Sequence, residues 1–380
     1  MNFQFSEEQL MTAEMVRQFV KKEVKPHASR LDREGVFPRE LVGQLGSLGL
    51  MGAVIPPEYG GSGMDLVSYV LAMEEISSVW ASLSVIMTVN NSLVCDPIYR
   101  FGSEDQKRKY LTPLALGQKL GCYALTEPGA GSDAGSLKTT ATLKNDRFLL
   151  NGTKLFITNG READIAIVYA LTAPEKGKKG ISAFIVEKGF SGFSVAKVED
   201  KLGLRSSDTA ELLFQDCEVP CENLLGTPDE GFKIALATLD GGRIGIASQA
   251  LGIARGCLEE ATVYAKTRKQ FNHSLGSFQA IQWMLADLRT ELDAARLMVL
   301  RAAWLKNQGK PVTREAAMAK MLASETANRA AYKAVQIFGG YGYTKETEVE
   351  RFFRDARITT LYEGTSEIQR LVISRELLKD

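Results

Sequence analysis

The sequence predicts an α+β protein that is mostly α-helical, with helical domains at residues 1–120 and 231–380 and a β domain at residues 121–230. Apolar residues recur at the spacing of amphipathic helices near both ends of the chain. The middle region instead has short segments rich in β-branched residues, separated by Gly, Asn, Pro and Asp. Because strands and helices do not alternate along the chain, we expect separate domains rather than one doubly wound parallel sheet.

The N-terminal domain is expected to begin with an amphipathic helix. Ser6 and Gln9 have the spacing of a capping box, and apolar residues follow at helical intervals as far as Val20. Residues 39–50 and 66–86 also have helical composition, on either side of the turn-rich segment PPEYGGSG. The N-terminal domain is therefore predicted to be mainly helical.

The middle domain contains candidate strands with turn signals between them. They are residues 148–152, 155–160, 165–171, 181–187, 193–199 and 210–220. Short strands at such intervals predict a small antiparallel sandwich or barrel.

Helical periodicity returns in the C-terminal domain. It is strongest between Leu285 and Val299 and is repeated in the alanine-rich segment 314–335. The segment from Phe232 to Ala265 is also helical in character, but LDGGRIG at 239–245 places three glycines inside it. Glycine in a helix costs about 1 kcal/mol relative to alanine, so a reason is expected. Close approach of a ligand or another helix is one interpretation, and a kink without a ligand is the other.

Composition disfavours several classes of function. The 380 residues include 46 Lys and Arg against 46 Asp and Glu, and this zero formal charge disfavours nucleic acid or an anionic membrane as a partner. His27 and His273 are far apart in sequence, and the five cysteines include no Cys-x-x-Cys pair. We therefore expect neither a metal site nor a catalytic nucleophile that depends on histidine.

The sequence also bears on the compartment. Its longest apolar runs are well short of the roughly 20 residues that span a bilayer, and its N-terminus resembles neither a signal nor a transit peptide. An odd number of scattered cysteines fits a reducing compartment. We expect a soluble cytoplasmic protein.

The glycine cluster GAGSDA at residues 129–134 matches the G-x-G-x-x-A form of the dinucleotide fingerprint. Its context disfavours a Rossmann domain. Pro128 precedes the first glycine, the following residues favour a strand, and Asn151 stands where a ribose-binding acid is expected. Without that template, CYALTEPGAGSD is an irregular loop suited to holding a phosphate or a ring edge. An ordinary surface loop is the alternative that its composition favours.

Residues 336–370 mix glycines, aromatic residues and charges, and Glu363 stands out among them. It lies between Tyr362 and Gly364 after an apolar stretch, so its carboxylate could occupy a poorly hydrated pocket and act as a stronger base. A solvated loop carboxylate is the alternative interpretation.

Together, these segments resemble the flavin-dependent acyl-CoA dehydrogenases over essentially the whole chain. The order and spacings of that family are shared by the motifs YALTEPGAGSD, LFITNG, DGGR, TRKQF, QIFGGYGY and LYEGTSEIQR. Its short-chain, butyryl-CoA members look closest in the segments VNNSL, EDKLGLR and GRIGIASQALGIA. The resemblance implies an N-terminal helical domain, a middle β-barrel-like domain and a C-terminal four-helix bundle, assembled as a homotetramer. It also implies FAD, bound without a Rossmann unit between the middle and C-terminal domains with help from a neighbouring subunit.

Site residues are carried over from the family position by position. For the FAD of the same subunit, the resemblance implies contacts from Tyr123, Leu125, Thr126, Ser132, Phe156, Thr158, Thr365 and Glu367. For the FAD of the adjacent subunit, it implies contacts from Arg268, Phe271, Gln279, Gln336 and Gly340. Many relatives have Trp where Phe156 stands, and both side chains give the ring an apolar face.

The resemblance also implies how the substrate is held. The implied contacts to the acyl-CoA are Ser132, Asp240, Arg243, Tyr362 and Gly364, with Asp240 and Arg243 at the pantetheine and the base loop. Glu363 is the implied catalytic base. Some branched- and long-chain relatives place that base at the position of Gly242, and this chain has glycine there.

The implied reaction is dehydrogenation of a short-chain acyl-CoA to the trans-2-enoyl-CoA. Glu363 removes the α-proton, flavin N5 accepts the β-hydride, and the thioester oxygen accepts hydrogen bonds from the Glu363 N–H and a ribityl hydroxyl. The electrons then pass to an electron-transfer flavoprotein. A short branched or alicyclic acyl-CoA, such as cyclohexanecarboxyl-CoA, is the alternative substrate. An oxygen-using oxidase or monooxygenase on this scaffold and a non-catalytic relative are less favoured.

Three further positions bear on the substrate. Ser84 stands where glutaryl-CoA relatives carry an arginine, which disfavours a dicarboxylate. Asn91 stands near the aspartate of ring-oxidising relatives, and Glu363 is retained, which favours ordinary α,β-elimination. For Asp96 the interpretations are a polar residue at a helix end, which we favour, and a contact to the acyl pocket.

Overall fold

The computed structural model describes residues 4–379, so residues 1–3 and 380 of the predicted terminal domains lie outside it. The N-terminal helices are α1 Glu7–Phe19, α2 Lys25–Glu34, α3 Arg39–Ser47, α4 Leu66–Ser77, α5 Ala81–Thr88, α6 Asp96–Phe101, α7 Glu104–Gln106 and α8 Thr112–Ala115. Wider π-helical turns at Val20–Val24, Val89–Cys95 and Lys107–Leu111 join α1 to α2, α5 to α6 and α7 to α8. The prediction of a helical N-terminal region is confirmed.

The capping box of the first helix is also confirmed. The backbone N–H of Gln9 donates to Ser6 Oγ at 3.2 Å, and the backbone N–H of Ser6 donates to Gln9 Oε1 at 3.0 Å. Residues 66–86, whose composition is helical, form two helices, because the chain turns between α4 and α5. Trp80 has an extended backbone at this turn and a fully buried side chain, so the turn inserts the indole into the N-terminal core.

Asn91 and Asp96 both serve the N-terminal domain itself. Asn91 is buried, its Oδ1 accepts from the backbone N–H of Ala53, and its Nδ2 donates to the carbonyls of Leu50 and Met87, all within 3.0 Å. The side chain therefore fixes the chain segment before α4. Asp96 begins α6 and lies 3.3 Å from Arg100, which fits the interpretation of a polar residue at a helix end.

The middle domain is a twisted β structure. Its strands are β1 Gly121–Ala124, β2 Thr140–Lys144, β3 Arg147–Thr158, β4 Ile165–Leu171, β5 Ile181–Glu187, β6 Phe193–Val198, β7 Thr209–Pro220 and β8 Leu224–Leu225. The sheet has the order β6-β7-β3-β2-β4-β5-β8, and β1 also pairs with β4. Most neighbours are antiparallel, but β4 is parallel to β1, with Gly121 opposite Ile165, and to β2, with Thr140 opposite Leu171.

Two details of the predicted strands differ. The candidates at 148–152 and 155–160 form one strand, β3, whose pairing with β7 shifts register between Leu150 and Gly152 and again between Lys154 and Ile157. Such bulges bend a long strand without ending it. The segment CYALTEPGAGSD was expected to be an irregular loop, but its first residues belong to strand β1. The four residues of β1 pair with β4, about forty positions further along the chain.

The C-terminal domain is helical, as predicted. Its helices are α9 Gly231–Thr267, α10 Gln279–Asn307, α11 Thr313–Phe338, α12 Glu348–Ala356 and α13 Ser366–Leu377, with the short strands β9 Lys269–Gln270 and β10 His273–Ser274 between α9 and α10. Helices α9, α10 and α11 pack on one another, and α13 packs on α11. Between residues 4 and 379, none of the helices has the length and apolar character needed to cross a membrane.

The glycines of α9 allow neighbouring elements to come close. The helix runs unbroken through the glycine-rich segment, and the surroundings of its glycines support the interpretation of close approach. A Cβ at Gly245 would lie 2.1 Å from Thr88 Oγ1, and a Cβ at Gly252 would lie 2.4 Å from Ser77 Cβ. Helices α4 and α5 therefore approach α9 at distances that larger residues would prevent.

A buried ion pair makes a testable contribution to the middle domain. Lys154 is fully buried, and its Nζ lies 2.8 Å from Glu127 Oε1. The substitution Glu127→Gln would leave the ammonium buried without its counter-ion, and we expect it to lower the free energy of unfolding by about 3–5 kcal/mol.

Urea unfolding followed by circular dichroism measures this loss. The matched control is Glu34→Gln, which breaks an exposed pair with Arg30 at 2.9 Å and should cost less than about 1 kcal/mol. Equal losses in the two variants would contradict the importance given to the buried pair.

Candidate functional site

A cavity of about 500 Å³ lies where all three domains meet. Its walls come from the loop after β1, the end of β3, the loop between β6 and β7, helix α9 and the loop before α13. Val85, Val89 and Leu93 of the N-terminal domain add apolar side chains. A ligand in this cavity would contact segments that are far apart in sequence.

Most of the predicted site residues line this cavity. They are Tyr123, Leu125, Thr126, Ser132, Phe156, Thr158, Arg243, Tyr362, Glu363 and Gly364. The three unusual segments of the sequence therefore meet in space.

The loop after β1 is fixed at its base and open at its glycines. Glu127 is buried and accepts hydrogen bonds from the backbone N–H groups of Lys138 and Thr139 at 2.6 and 3.0 Å, besides its contact with Lys154. A Cβ at Gly129 or Gly131 would meet no described atom within 4 Å. The loop thus leaves space on its glycine side, as expected for a segment that a ligand covers.

Phe156 and Thr158 form a shelf on the cavity wall. The Phe156 side chain is 61% exposed, and its backbone is left-handed, with φ of 58°. A left-handed backbone costs a non-glycine residue about 1–2 kcal/mol, so such positions are typical of functional sites. Thr158 is two residues further along the same strand, and both line the cavity. An exposed aromatic face beside a hydroxyl fits the flavin ring that the sequence resemblance implies.

Glu363 belongs to a strained loop between α12 and α13. Its φ is 55° and that of Gly364 is 87°, so two consecutive residues are left-handed. The side chain of Gln369 donates to the carbonyls of both residues at 2.9 Å, and Lys320 Nζ donates to the Gly364 carbonyl at 2.7 Å. Thr365 caps α13 by accepting from the backbone N–H of Ile368. These bonds fix the direction in which the Glu363 side chain leaves the loop.

The Glu363 carboxyl group has the properties of a base. The residue is partly exposed as a whole, but its Oε2 is buried and has no hydrogen-bond partner among the described residues. Burial raises the pKa of this carboxyl to about 7, while the positive charges of Arg243 and Lys320 oppose the rise. A carboxyl group with a pKa near neutrality can accept a proton and release it again at physiological pH.

Arg243 is held on α9 by a neighbouring acid. Its Nη1 lies 2.8 Å from Asp240 Oδ1, and the other carboxylate oxygen of Asp240 accepts from Thr313 Oγ1 at 2.7 Å. The Arg243 Nε is buried without a hydrogen-bond partner among residues 4–379. Arg243 lines the cavity, whereas Asp240 does not.

The remaining predicted residues are not brought to this cavity. Arg268 and Gly340 line a separate surface cavity, where the Arg268 guanidinium lies 5.5 Å from the centre of the Tyr341 ring. Phe271 is 86% exposed, and Gln279 and Gln336 are also exposed. Thr365 and Glu367 lie at the start of α13. In a single chain, Arg268 and Gly340 therefore lie at a second surface cavity, whereas Thr365 and Glu367 adjoin Gly364 and Ile368, which line the main one.

Four structurally important residues were not found from the sequence: Glu127, Lys154, Lys320 and Gln369. For Lys320 the sequence did contain a signal of burial. It lies three positions before Ala323 and four after Ala316, and this spacing places it on the apolar face of α11. No cluster of three or more His, Cys, Asp or Glu that could hold a metal ion occurs in the described part of the chain.

Comparison with known proteins gives matches along the chain. Three family models match it: the N-terminal domain of acyl-CoA dehydrogenase at residues 6–118, the middle domain at 122–217 and the C-terminal domain at 229–378. The chain is 52% identical over 379 residues to the short-chain specific acyl-CoA dehydrogenase of Clostridium acetobutylicum, with 100% of both chains covered.

Solved structures give the same result. Butyryl-CoA dehydrogenase from Megasphaera elsdenii has a TM-score of 0.98 and 48% identity, covering 100% of both chains. A structure described as the electron transferring flavoprotein of Acidaminococcus fermentans contains a chain with a TM-score of 0.99 and 52% identity, again covering 100% of both chains.

The raised pKa of Glu363 predicts a pH-dependent stability. The folded state keeps its proton up to about pH 7, whereas the unfolded chain ionises near 4.5, so the group destabilises the fold as the pH rises between these values. Relative to Glu363→Gln, the wild-type protein should lose on the order of 3 kcal/mol between about pH 5 and about pH 8.

Urea unfolding of both proteins at the two pH values measures this difference. The control is Glu367→Gln, because its own backbone N–H and the Thr365 hydroxyl lower the pKa of Glu367. The Glu367 contribution is therefore lost only as the pH falls below about 4.5, so Glu367→Gln should differ from the wild type by nearly the same amount at both pH values. If the difference in unfolding free energy between the wild type and Glu363→Gln does not change with pH, the prediction is contradicted.

Proposed function

Because the chain belongs to the acyl-CoA dehydrogenase family, whose members are FAD-dependent oxidoreductases acting on CH–CH groups, we propose a specific reaction for it. It converts a short-chain acyl-CoA to the trans-2-enoyl-CoA and passes the electrons to an electron-transfer flavoprotein. The observation that carries this proposal is the buried, unpaired Oε2 of Glu363 inside the cavity.

Glu363 removes the proton from the carbon α to the thioester. The ionised form is needed for this step, and the charges of Arg243 and Lys320 favour it against the effect of burial. An acceptor whose pKa lies near the working pH is efficient in general base catalysis. The backbone N–H of Glu363 is the proposed donor to the thioester oxygen, on which negative charge develops as the proton leaves.

Bound FAD supplies the acceptor for the hydride that leaves the β-carbon. The residues that would hold it are those of the shelf and of the loop after β1, namely Tyr123, Leu125, Thr126, Ser132, Phe156 and Thr158. All six line the same cavity as Glu363, and this supports the assignment. Thr365 and Glu367 complete the proposed contacts within the subunit.

Arg243 and Asp240 hold the CoA side of the substrate in the proposed complex. The buried, unpaired Nε of Arg243 and the fixed Asp240 carboxylate support this role. Ser132, Tyr362 and Gly364, which line the same cavity, are the other proposed substrate contacts.

A short acyl chain is the proposed substrate. The apolar side chains of Val85, Val89, Leu93 and Ile246 line the cavity and suit a neutral hydrocarbon chain. Ser84 is fully buried and donates to the Ala81 carbonyl at 3.0 Å, so this position offers no cation for a distal carboxylate. The identity to short-chain specific relatives points the same way. A short branched or alicyclic acyl-CoA is the alternative.

The protein is proposed to act as a homotetramer, with Arg268, Phe271, Gln279, Gln336 and Gly340 contacting the FAD of an adjacent subunit. The exposure of Phe271 and the surface cavity beside Arg268 support this arrangement. The likeness to a chain in an electron transferring flavoprotein structure supports the proposed electron acceptor.

Anaerobic reduction of the bound flavin tests the base assignment. Glu363→Gln should retain FAD but lower the rate at which butyryl-CoA bleaches its visible band by about 10²–10⁴-fold, because the general base is lost. Full-rate bleaching in this variant would rule out Glu363 as the base.

The same assay with isobutyryl-, hexanoyl-, glutaryl- and cyclohexanecarboxyl-CoA tests the proposed substrate. A faster bleaching rate with any of these than with butyryl-CoA would correct the substrate assignment.

The glycine at position 242 should be required for the same reaction. A Cβ there would lie 2.7 Å from Glu363 Oε2 and 2.9 Å from Leu93 Cδ2, so Gly242→Ala displaces the carboxylate. We expect bleaching to slow on the order of 10–100-fold, because small misplacements of reacting groups are costly. Gly43→Ala in α3, where a Cβ would meet nothing within 4 Å, is the control and should react normally. An unaffected Gly242→Ala enzyme would contradict the proposed geometry.

A further inference from the structure

Lys320 lies at a position where an ammonium group is costly. It is in the middle of α11, its side chain has no exposed surface, and Ala316, Ala319 and Ala323 of the same helix are fully buried beside it. Burying a charged group without compensation costs several kcal/mol. A reason for lysine at this position is therefore expected in what its Nζ contacts.

The Nζ of Lys320 contacts the loop that carries Glu363. It donates a hydrogen bond of 2.7 Å to the carbonyl of Gly364. This carbonyl also accepts from Gln369 Nε2 at 2.9 Å, so donors from α11 and α13 hold it together. Gly364 cannot be replaced easily in this arrangement, since a Cβ would lie 2.7 Å from Gln369 Nε2 and its φ is 87°.

The charge of Lys320 also acts on the Glu363 carboxyl. Burial lowers the pKa of Lys320 to about 8. The negative charge of Glu363 raises this pKa, and the positive charge of Arg243 on α9 lowers it further. Glu325 of α11 and Glu367 of α13 are the other acids that raise the pKa of Lys320. On Glu363, the two cations that favour ionisation against burial are Arg243 and Lys320.

We propose that Lys320 is a positioning residue for the reaction: its ammonium fixes the Gly364 carbonyl and its charge keeps the adjacent Glu363 carboxylate ionised and able to accept the substrate proton. This inference rests on the proposed role of Glu363 as the base. Lys320 lies outside the family motifs quoted above. The proposed effect of its charge on Glu363 is additional to its hydrogen bond to the loop.

The pH profile separates this role from a purely structural one. If Lys320 only holds the loop, its loss lowers the rate by the same factor at every pH. If its charge favours the ionised base, its loss also moves the midpoint of the profile. The quantity to measure is the second-order rate constant for flavin bleaching by butyryl-CoA, because it reports the free enzyme.

The experiment compares FAD-loaded variants under anaerobic conditions from about pH 6 to about pH 10. In the wild-type enzyme the rate constant should rise with a midpoint near pH 7. Lys320→Met removes the charge and the donor, so the midpoint should move to higher pH by about one pH unit and the plateau should fall. Lys320→Gln keeps a donor without the charge, so it should show the same movement with a smaller loss of plateau.

Lys320→Arg keeps the cation and should restore the wild-type midpoint. The matched control is Lys333→Met on the same helix, where the lysine pairs with Asp287 at 3.3 Å, and it should leave both midpoint and plateau unchanged. A wild-type midpoint in both Lys320→Met and Lys320→Gln overturns the proposal. Loss of FAD from both variants also overturns it, because the role of Lys320 is then structural.

Failure of the proposed function gives a different result. If Glu363→Gln bleaches at the wild-type rate, the base has been wrongly assigned, whatever the lysine variants do. If Glu363→Gln is inactive and the lysine variants keep the wild-type midpoint, only the inference about Lys320 is lost.

Discussion

The close approach of the Glu363 loop to helix α9 is the constraint on which the site depends. At Gly242 the helix has no side chain, and a Cβ there would overlap the Glu363 carboxylate and a Leu93 methyl group. The absence of this side chain allows the carboxylate to be buried against α9 with its Oε2 unpaired. Gly245 lies one turn later on α9, and there Thr88 of α5 occupies the space that a side chain would need. One glycine-rich segment thus brings together the N-terminal domain, the base loop and the cavity.

Two buried lysines fix the two walls of the cavity in a similar way. Lys154 donates to the carbonyl of Leu125 at 3.1 Å and pairs with Glu127, which in turn accepts from two backbone N–H groups of the loop after β1. Lys320 donates to the carbonyl of Gly364 in the base loop. A buried ammonium with several hydrogen-bond partners rigidifies irregular backbone, because moving the loop would expose an unpaired charge to an apolar interior.

Local signals in the sequence predicted much of this structure. The capping box of Ser6, the helical regions and the singular position of Glu363 each depend on residues close together in the chain. Strand β1 was missed because it has only four residues, which are too few to show a strand pattern. Its partner, the strand that begins at Ile165, is distant in sequence. The turn at Trp80 was missed because the residues on both sides of it have helical composition, and burial of the indole depends on contacts that the local sequence does not show.

The cavity itself needed the structure, because its electrostatics arise from residues that are not neighbours in sequence. Burial alone makes the ionised form of Glu363 unfavourable, and a protonated carboxyl cannot act as a base. Two cations on different helices, Arg243 and Lys320, oppose this effect. Because Asp240 already pairs with Arg243, part of that positive charge is compensated before it reaches Glu363. Arg243 has the larger effect of the two, and Lys320 adds a second positive charge from α11, where its Nζ also bonds to the Gly364 carbonyl of the same loop.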